Sequence, residues 1–227
     1  MKLKLIEKRF ETADITSFIF KPDTDLKWQA GQFLHYNLPD KNPDNRKTER
    51  FFTIAAAPFE KNVMVTTRFA EKSSSFKKDL FSLPIGGEIN ASGPMGSFVV
   101  EDPAKEFVFI AGGIGITPFR SILLDLDNKE VPIRGKLLYA NRDNNFVFKK
   151  ELDALAQKHK DFKIRYFVDP EKIDEAAIKQ EAPDLKSPIF YVSGPEPMVE
   201  AFEKILAGIG VPNSHIKRDY FPGYDWP

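Results

Sequence analysis

The residues with most chemical content lie between Phe107 and Pro118, where the apolar run Phe107-Val108-Phe109-Ile110-Ala111 leads into Gly112-Gly113-Ile114-Gly115-Ile116-Thr117-Pro118. Thr117 suits a helix N-cap and Pro118 the first helical position, where a missing N–H costs nothing. A helix starting there offers free N–H groups and a partial positive charge to an anion, and bare glycines let the backbone come close to it. That is the chemistry of a nucleotide phosphate seat. No third glycine follows at the G-x-G-x-x-G spacing, and the absence of Gly-Lys-Ser/Thr excludes a P-loop. The alternative is a turn whose glycines only permit tight strand–helix packing. Position favours the seat if this run is the first strand of a doubly wound sheet, where such ligands bind.

A second set lies earlier in the chain. In Arg50-Phe51-Phe52-Thr53 the arginine can fork onto a phosphate, and Phe52, two residues on, points to the same strand face, where it can lie against a planar ring. Period two puts Thr53 on the opposite face, so its hydroxyl meets the same ligand only if a ring approaches the strand end edge-on. Read alone, the set is equally a surface arginine beside two core phenylalanines. Ser73-Ser74-Ser75-Phe76-Lys77 precedes a short helical stretch; Ser74 is either a plain N-cap or a cap that also helps hold a phosphate. Ser92-Gly93-Pro94-Met95-Gly96-Ser97-Phe98 reads as a tight turn.

The elements that must position these residues change character near residue 103. Before it, short strands are expected at Lys2 to Lys8, Ile15 to Phe20, Gln32 to Leu38, Glu49 to Ile54, Val63 to Phe69 and Glu88 to Ser92, with one helix at Ser74 to Phe81. That spacing suggests a small antiparallel barrel or sandwich. After it, apolar strands at Phe107 to Ile110, Lys136 to Tyr139, Lys163 to Val168 and Ile189 to Val192 alternate with helices at Pro118 to Asn128, Lys149 to His159, Asp174 to Glu181 and Glu196 to Ala207. Such alternation gives a parallel sheet covered on both faces. Two domains are expected, 1–102 and 103–227.

Composition removes several functions. The 33 basic residues balance the 33 acidic ones, leaving no net field to hold nucleic acid by charge. With no cysteine there is no disulfide, thiolate metal site, cysteinyl iron–sulfur cluster or cysteine nucleophile, so redox chemistry needs a bound cofactor. His35, His159 and His215 are isolated, and no metal site is expected. Gly-x-Ser-x-Gly is absent, which disfavours a hydrolase. The alternating N-terminus lacks the apolar run of a signal peptide, and glycines, Pro118, Arg120 and Asp125 interrupt the most apolar stretch, Phe107 to Leu126; no membrane span and a cytoplasmic location are expected.

Taken together and in order, Arg50-Phe51-Phe52-Thr53, Ser74-Ser75-Phe76-Lys77, Gly93-Pro94-Met95-Gly96-Ser97-Phe98, Gly112 to Pro118, Tyr139-Ala140-Asn141-Arg142 and Ser193-Gly194-Pro195-Glu196-Pro197-Met198 resemble the ferredoxin–NADP reductase family over nearly the whole chain. The resemblance implies an N-terminal FAD-binding Greek-key β-barrel followed by a Rossmann-like parallel α/β domain that binds NAD(P). It implies that Arg50 holds the flavin pyrophosphate, that Phe51, Phe52, Thr67, Ser74 and Ser75 line the flavin site, and that Thr53 bonds near flavin N5. Gly112, Gly113, Gly115, Thr117, Gly194 and Met198 would line the NAD(P) path, and Arg142 would meet the adenosine ribose or a 2′-phosphate. Ser193 stands where the family often has cysteine, and Phe52 where it has tyrosine. Asp219 resembles the family's acidic-x-Phe ending, with Tyr224 or Trp226 as a lid on the flavin. Thr53, Ser193 and Asp219 are thus the implied catalytic residues. The implied activity is hydride transfer from NAD(P)H to FAD, with FMN the less favoured flavin, and then to an external acceptor, a small redox protein or a small molecule. A free-flavin reductase and a non-catalytic flavin- or nucleotide-binding module are the competing readings.

Overall fold

The computed structural model describes residues 1–38, 44 and 48–221. Six antiparallel strands form the first sheet: β1 (Lys2–Phe10), β2 (Ile15–Pro22), β3 (Phe33–Asn37), β4 (Glu49–Thr53), β5 (Val63–Arg68) and β6 (Glu88–Met95), in the order β4-β3-β6-β1-β2-β5. Alternation decides which face is inside, as where Leu3 and Leu5 of β1 are buried among exposed Lys2, Lys4 and Ile6. The edge strands β4 and β5 also touch, so the sheet curls into a half-barrel. Helix α1 (Ser75–Ser82) joins β5 to β6 and buries Phe76 and Leu80; its N-cap is Ser74, whose hydroxyl accepts from the Lys77 amide at 3.4 Å.

The second sheet is parallel: β7 (Phe107–Gly112), β8 (Gly135–Asn141), β9 (Phe162–Val168), β10 (Ile189–Pro195) and β11 (Ile216–Phe221), in the order β11-β10-β7-β8-β9. β7 is buried throughout, as its unbroken apolar run requires. Helices α2 (Thr117–Asn128), α3 (Lys149–Lys158), α4 (Glu175–Glu181) and α5 (Glu196–Gly208) connect the strands. Val108, Ile110 and Leu138 pack with α4 and α5 residues such as Ile178 and Phe202, whereas Phe107, Phe109 and Tyr191 belong to a core continuous with the barrel. Phe98 links the two parts of that core. It lies 5.7 Å from the Phe119 ring and 5.2 Å edge-on from Tyr191, whose hydroxyl donates to the Val99 carbonyl at 3.0 Å.

Three local expectations change. Thr117 is the first residue of α2 rather than its N-cap: a 3₁₀ turn at Gly113–Ile116 comes first, the cap position falls on Ile116, and the Thr117 hydroxyl donates to the Ile114 carbonyl at 3.2 Å. Gly93 and Pro94 lie within β6 rather than in a turn, because a register shift against β3 absorbs the irregular backbone. The chain also forms β11, a fifth parallel strand absent from the sequence expectation, in register with β10 from Phe190–Ile216 to Pro195–Phe221.

Candidate functional site

A cleft opens at the carboxyl ends of the parallel strands, where the order reverses about β7, the usual ligand crevice of such a sheet. Its volume is about 180 Å³. Gly112, Gly113 and Ile114 form its floor, Asn141 enters at the end of β8 and Arg142 just after it, Asp169 and Lys172 after β9, and Phe202 from α5. Arg68, at the end of barrel strand β5, lines the same cleft, so side chains from both sheets face one space.

The glycines divide into two jobs. Gly113 sits at φ +52, and a Cβ built there meets no atom within 4 Å, so its backbone is open to the cleft. Its carbonyl accepts from the Tyr139 hydroxyl at 3.0 Å, which pins the turn. Gly115 is buried, and a Cβ there would stand 2.1 Å from the Ser193 carbonyl oxygen; it is glycine so that the turn can lie directly on β10. Gly194 and Met198 are likewise packed together, a Cβ on the glycine falling 2.8 Å from the Met198 sulfur, and Met198 is fully buried.

Ser193 and Asp219 are neighbours across β10 and β11. Ser193 Oγ and Asp219 Oδ2 are buried, and neither has a partner with hydrogen-bond geometry among the described residues. Burial pushes the Asp219 carboxyl up to about 7, with the nearby Ser193 hydroxyl pulling the other way. Neither residue lines the cleft itself: Ser193 sits behind its floor, with its carbonyl packed against Gly115.

On the barrel, Arg50 and Phe52 share one face of β4, as period two requires. The Arg50 guanidinium lies 5.6 Å from the Phe76 ring of α1 and donates to the Glu49 carbonyl at 2.5 Å, and the Phe52 ring is 5.9 Å from Phe76. Phe51 turns the other way, 59% exposed and stacked on His35 at 4.7 Å. Thr53 and Thr67 are buried. The Ser75 amide at the start of α1 donates to the Asp44 carboxylate at 3.0 Å, so this helix start already accommodates an anionic group beside Arg50. Tyr224 and Trp226 lie outside the described residues.

The sequence reading missed Arg68 and the β9-end residues Asp169 and Lys172. Arg68 directly follows Thr67, so its position was visible. Only the pairing of β2 with β5 and the approach of the two sheets carry it to the cleft.

Residues 109–204 match the oxidoreductase NAD-binding domain family. The flavohemoprotein of Burkholderia sp. (strain TH2) is 26% identical over 228 residues, covering 93% of this chain and 56% of the relative. NADH-cytochrome b5 reductase 1 of Mortierella alpina is 29% identical over 225 residues, covering 92% and 74%. The flavohem-like FAD/NAD-binding domain of nitric oxide dioxygenase from Vibrio cholerae O1 biovar El Tor superposes with a TM-score of 0.83 at 21% identity, over 97% of this chain and 98% of that one. The chain thus spans little more than half the length of the flavohemoprotein it matches. An antiparallel half-barrel followed by a parallel sheet with an NAD-binding match defines a two-domain nucleotide-dependent oxidoreductase fold. Over residues 109–204 the chain matches an oxidoreductase NAD-binding domain, and its fold is ferredoxin–NADP reductase-like. Among the described residues, no helix is long and apolar enough to cross a membrane.

Proposed function

We propose that this chain is an NAD(P)H-dependent flavoprotein reductase that takes hydride from a nicotinamide nucleotide onto FAD and delivers electrons to an external acceptor. The observation that carries the reading is the shared cleft, where barrel residue Arg68 faces the open Gly113 turn and Arg142. The matched NAD-binding domain and the reductase relatives agree with it.

In this reading residues 1–102 hold FAD and residues 103–227 hold NAD(P)H. Bound FAD supplies the chemistry of accepting a hydride and passing electrons on. Arg50 and the start of α1, with Ser74 and Ser75, hold its phosphates; Phe52 lies against the ring, and Thr53 and Thr67 contribute polar groups at the strand ends. The Gly113 amide, at the start of the 3₁₀ turn that precedes α2, holds the NAD(P)H pyrophosphate. Arg142, Arg68 and Lys172 offer cations to the nucleotide, while Asp169 offers an acceptor to a ribose hydroxyl. Ser193 and Asp219 back the turn from behind the cleft floor, where Asp219, poised near neutrality, holds or releases a proton at Oδ2. Gly115, Gly194 and Met198 keep β10 and the turn in contact so that these groups stay in place.

Gel filtration tests the cofactor assignment. Yellow flavin absorbance should co-elute with the protein, and acid release should yield FAD. A preparation that elutes colourless and takes up no flavin on addition contradicts it. Turnover of NADH or NADPH with small redox proteins and with small-molecule acceptors then identifies the external partner.

A further inference from the structure

Arg120 is a buried arginine, 2% exposed, on the second turn of α2 and three residues past Thr117. All five of its N–H groups are used. Nη1 donates to the Ala55 carbonyl at 2.9 Å and to Glu60 Oε2 at 2.8 Å, Nη2 to Glu60 Oε1 at 3.1 Å and Glu151 Oε1 at 3.2 Å, and Nε to Glu151 Oε2 at 2.7 Å. The Phe148 ring lies 5.1 Å away. Next to it, the Ser121 hydroxyl donates to the Ala56 carbonyl at 2.7 Å, and Trp28 Nε1 reaches the same oxygen at 3.3 Å. Glu60 in turn accepts from the Ala57 amide at 2.6 Å.

These bonds join two segments with separate tasks in the proposed reaction. Ala55 and Ala56 follow Thr53 at the end of β4, the strand assigned to the flavin, and are buried with their carbonyls directed at α2. Helix α2 begins at Thr117, just beyond the glycine turn assigned to the nicotinamide nucleotide. Nothing here touches the cleft: none of Arg120, Ser121, Glu60 and Glu151 lines it. A fork saturated by two carboxylates and a backbone carbonyl fixes direction as well as distance, which a single ammonium could not.

Resting on the flavin–nicotinamide reading above, we propose that Arg120, with Ser121, is a positioning residue that sets the approach of the nicotinamide nucleotide to the flavin by riveting the start of α2 to the segment leaving β4. Hydride transfer depends steeply on this separation, whereas affinity for either nucleotide depends on contacts within each half.

The test compares wild type with Arg120→Lys, which keeps the charge and loses the fork, and with the milder Ser121→Ala. In stopped-flow reduction at saturating NAD(P)H, the limiting rate for Arg120→Lys should fall about 10- to 100-fold, as expected for a reacting pair displaced by about an ångström. Oxidised-nucleotide affinity and flavin content should stay close to wild type, and the long-wavelength charge-transfer absorbance of the nucleotide complex should weaken. A second readout needs no cofactor. The chain has no cysteine, so spin labels at Lys21→Cys and Lys204→Cys, both exposed, report one distance between the halves. That distribution should broaden in Arg120→Lys and broaden less in Ser121→Ala. Folded variants with wild-type limiting rates and an unchanged label distance would overturn the proposal, as would failure of both variants to fold, which would make the rivet purely structural. If wild-type flavin is never reduced by either nucleotide, the reductase reading fails instead, and the label distances still judge the rivet.

Discussion

The two candidate cradles are built from different materials. In the cleft of the parallel sheet, the floor is backbone: Gly113 presents open space at a positive φ, and Ser193 and Asp219, set in the strands behind it, add no side chain to the lining. On the barrel the cradle is made of side chains that already have partners, with Arg50 over Phe76 and bonded to the Glu49 carbonyl, and the Ser75 amide given to Asp44. A ligand entering the cleft therefore displaces little but water. One settling on the barrel must exchange internal contacts for its own. The first suits a nucleotide that comes and goes, the second a group that stays.

If the cleft depends on backbone, one methyl in the wrong place should damage it most. Gly115→Ala puts a carbon 2.1 Å from the Ser193 oxygen, and the variant should lose about 3 kcal/mol of stability, the upper range for overpacking, in urea unfolding. On the side-chain cradle the corresponding break is Arg50→Ala. It should leave the fold intact and weaken flavin binding by about 2 kcal/mol, the scale of a charge-assisted phosphate contact, read by flavin titration of the stripped protein. Unchanged affinity would remove Arg50 from the phosphate site.

Asp219 sharpens the contrast, because a buried polar group has a stability cost. Its folded carboxyl titrates near 7 against an ordinary 3.8, so the folded chain holds the extra proton between those values, and wild-type stability drains away as pH rises through the window. Asp219→Asn lacks this slope. Its melting temperature should exceed that of wild type at pH 8, by about 4 °C for a gain on the order of 2 kcal/mol, and the gap should close below pH 4. A gap independent of pH would contradict the burial of that carboxyl. The smallest effect belongs to Gly113→Ala: the space is open, and only the left-handed backbone resists, costing about 1 kcal/mol in the same urea assay.

Much of this architecture was legible because it is local. The alternation of β1, the unbroken apolar run of β7 and the helix at Lys149–Lys158 follow from period alone. β11 escaped because Lys217, Arg218 and Asp219 look like a polar tail until the parallel pairing with β10 is known. Gly113 and Gly115 carry the same letter two positions apart, and only the approach of Ser193 separates a ligand-facing glycine from a packing one. Arg120 was invisible for a similar reason. Its partners Ala55, Glu60 and Glu151 are distant in sequence, and nothing local marks an arginine as buried.

The central claim is that one chain seats both cofactors so that hydride passes directly between them. Anaerobic titration of the purified, flavin-loaded protein with NADH and, separately, NADPH tests it most directly. The account predicts that at least one nucleotide bleaches the flavin band fully, one equivalent per flavin, without any added protein. A flavin that stays oxidised with excess of both would contradict it.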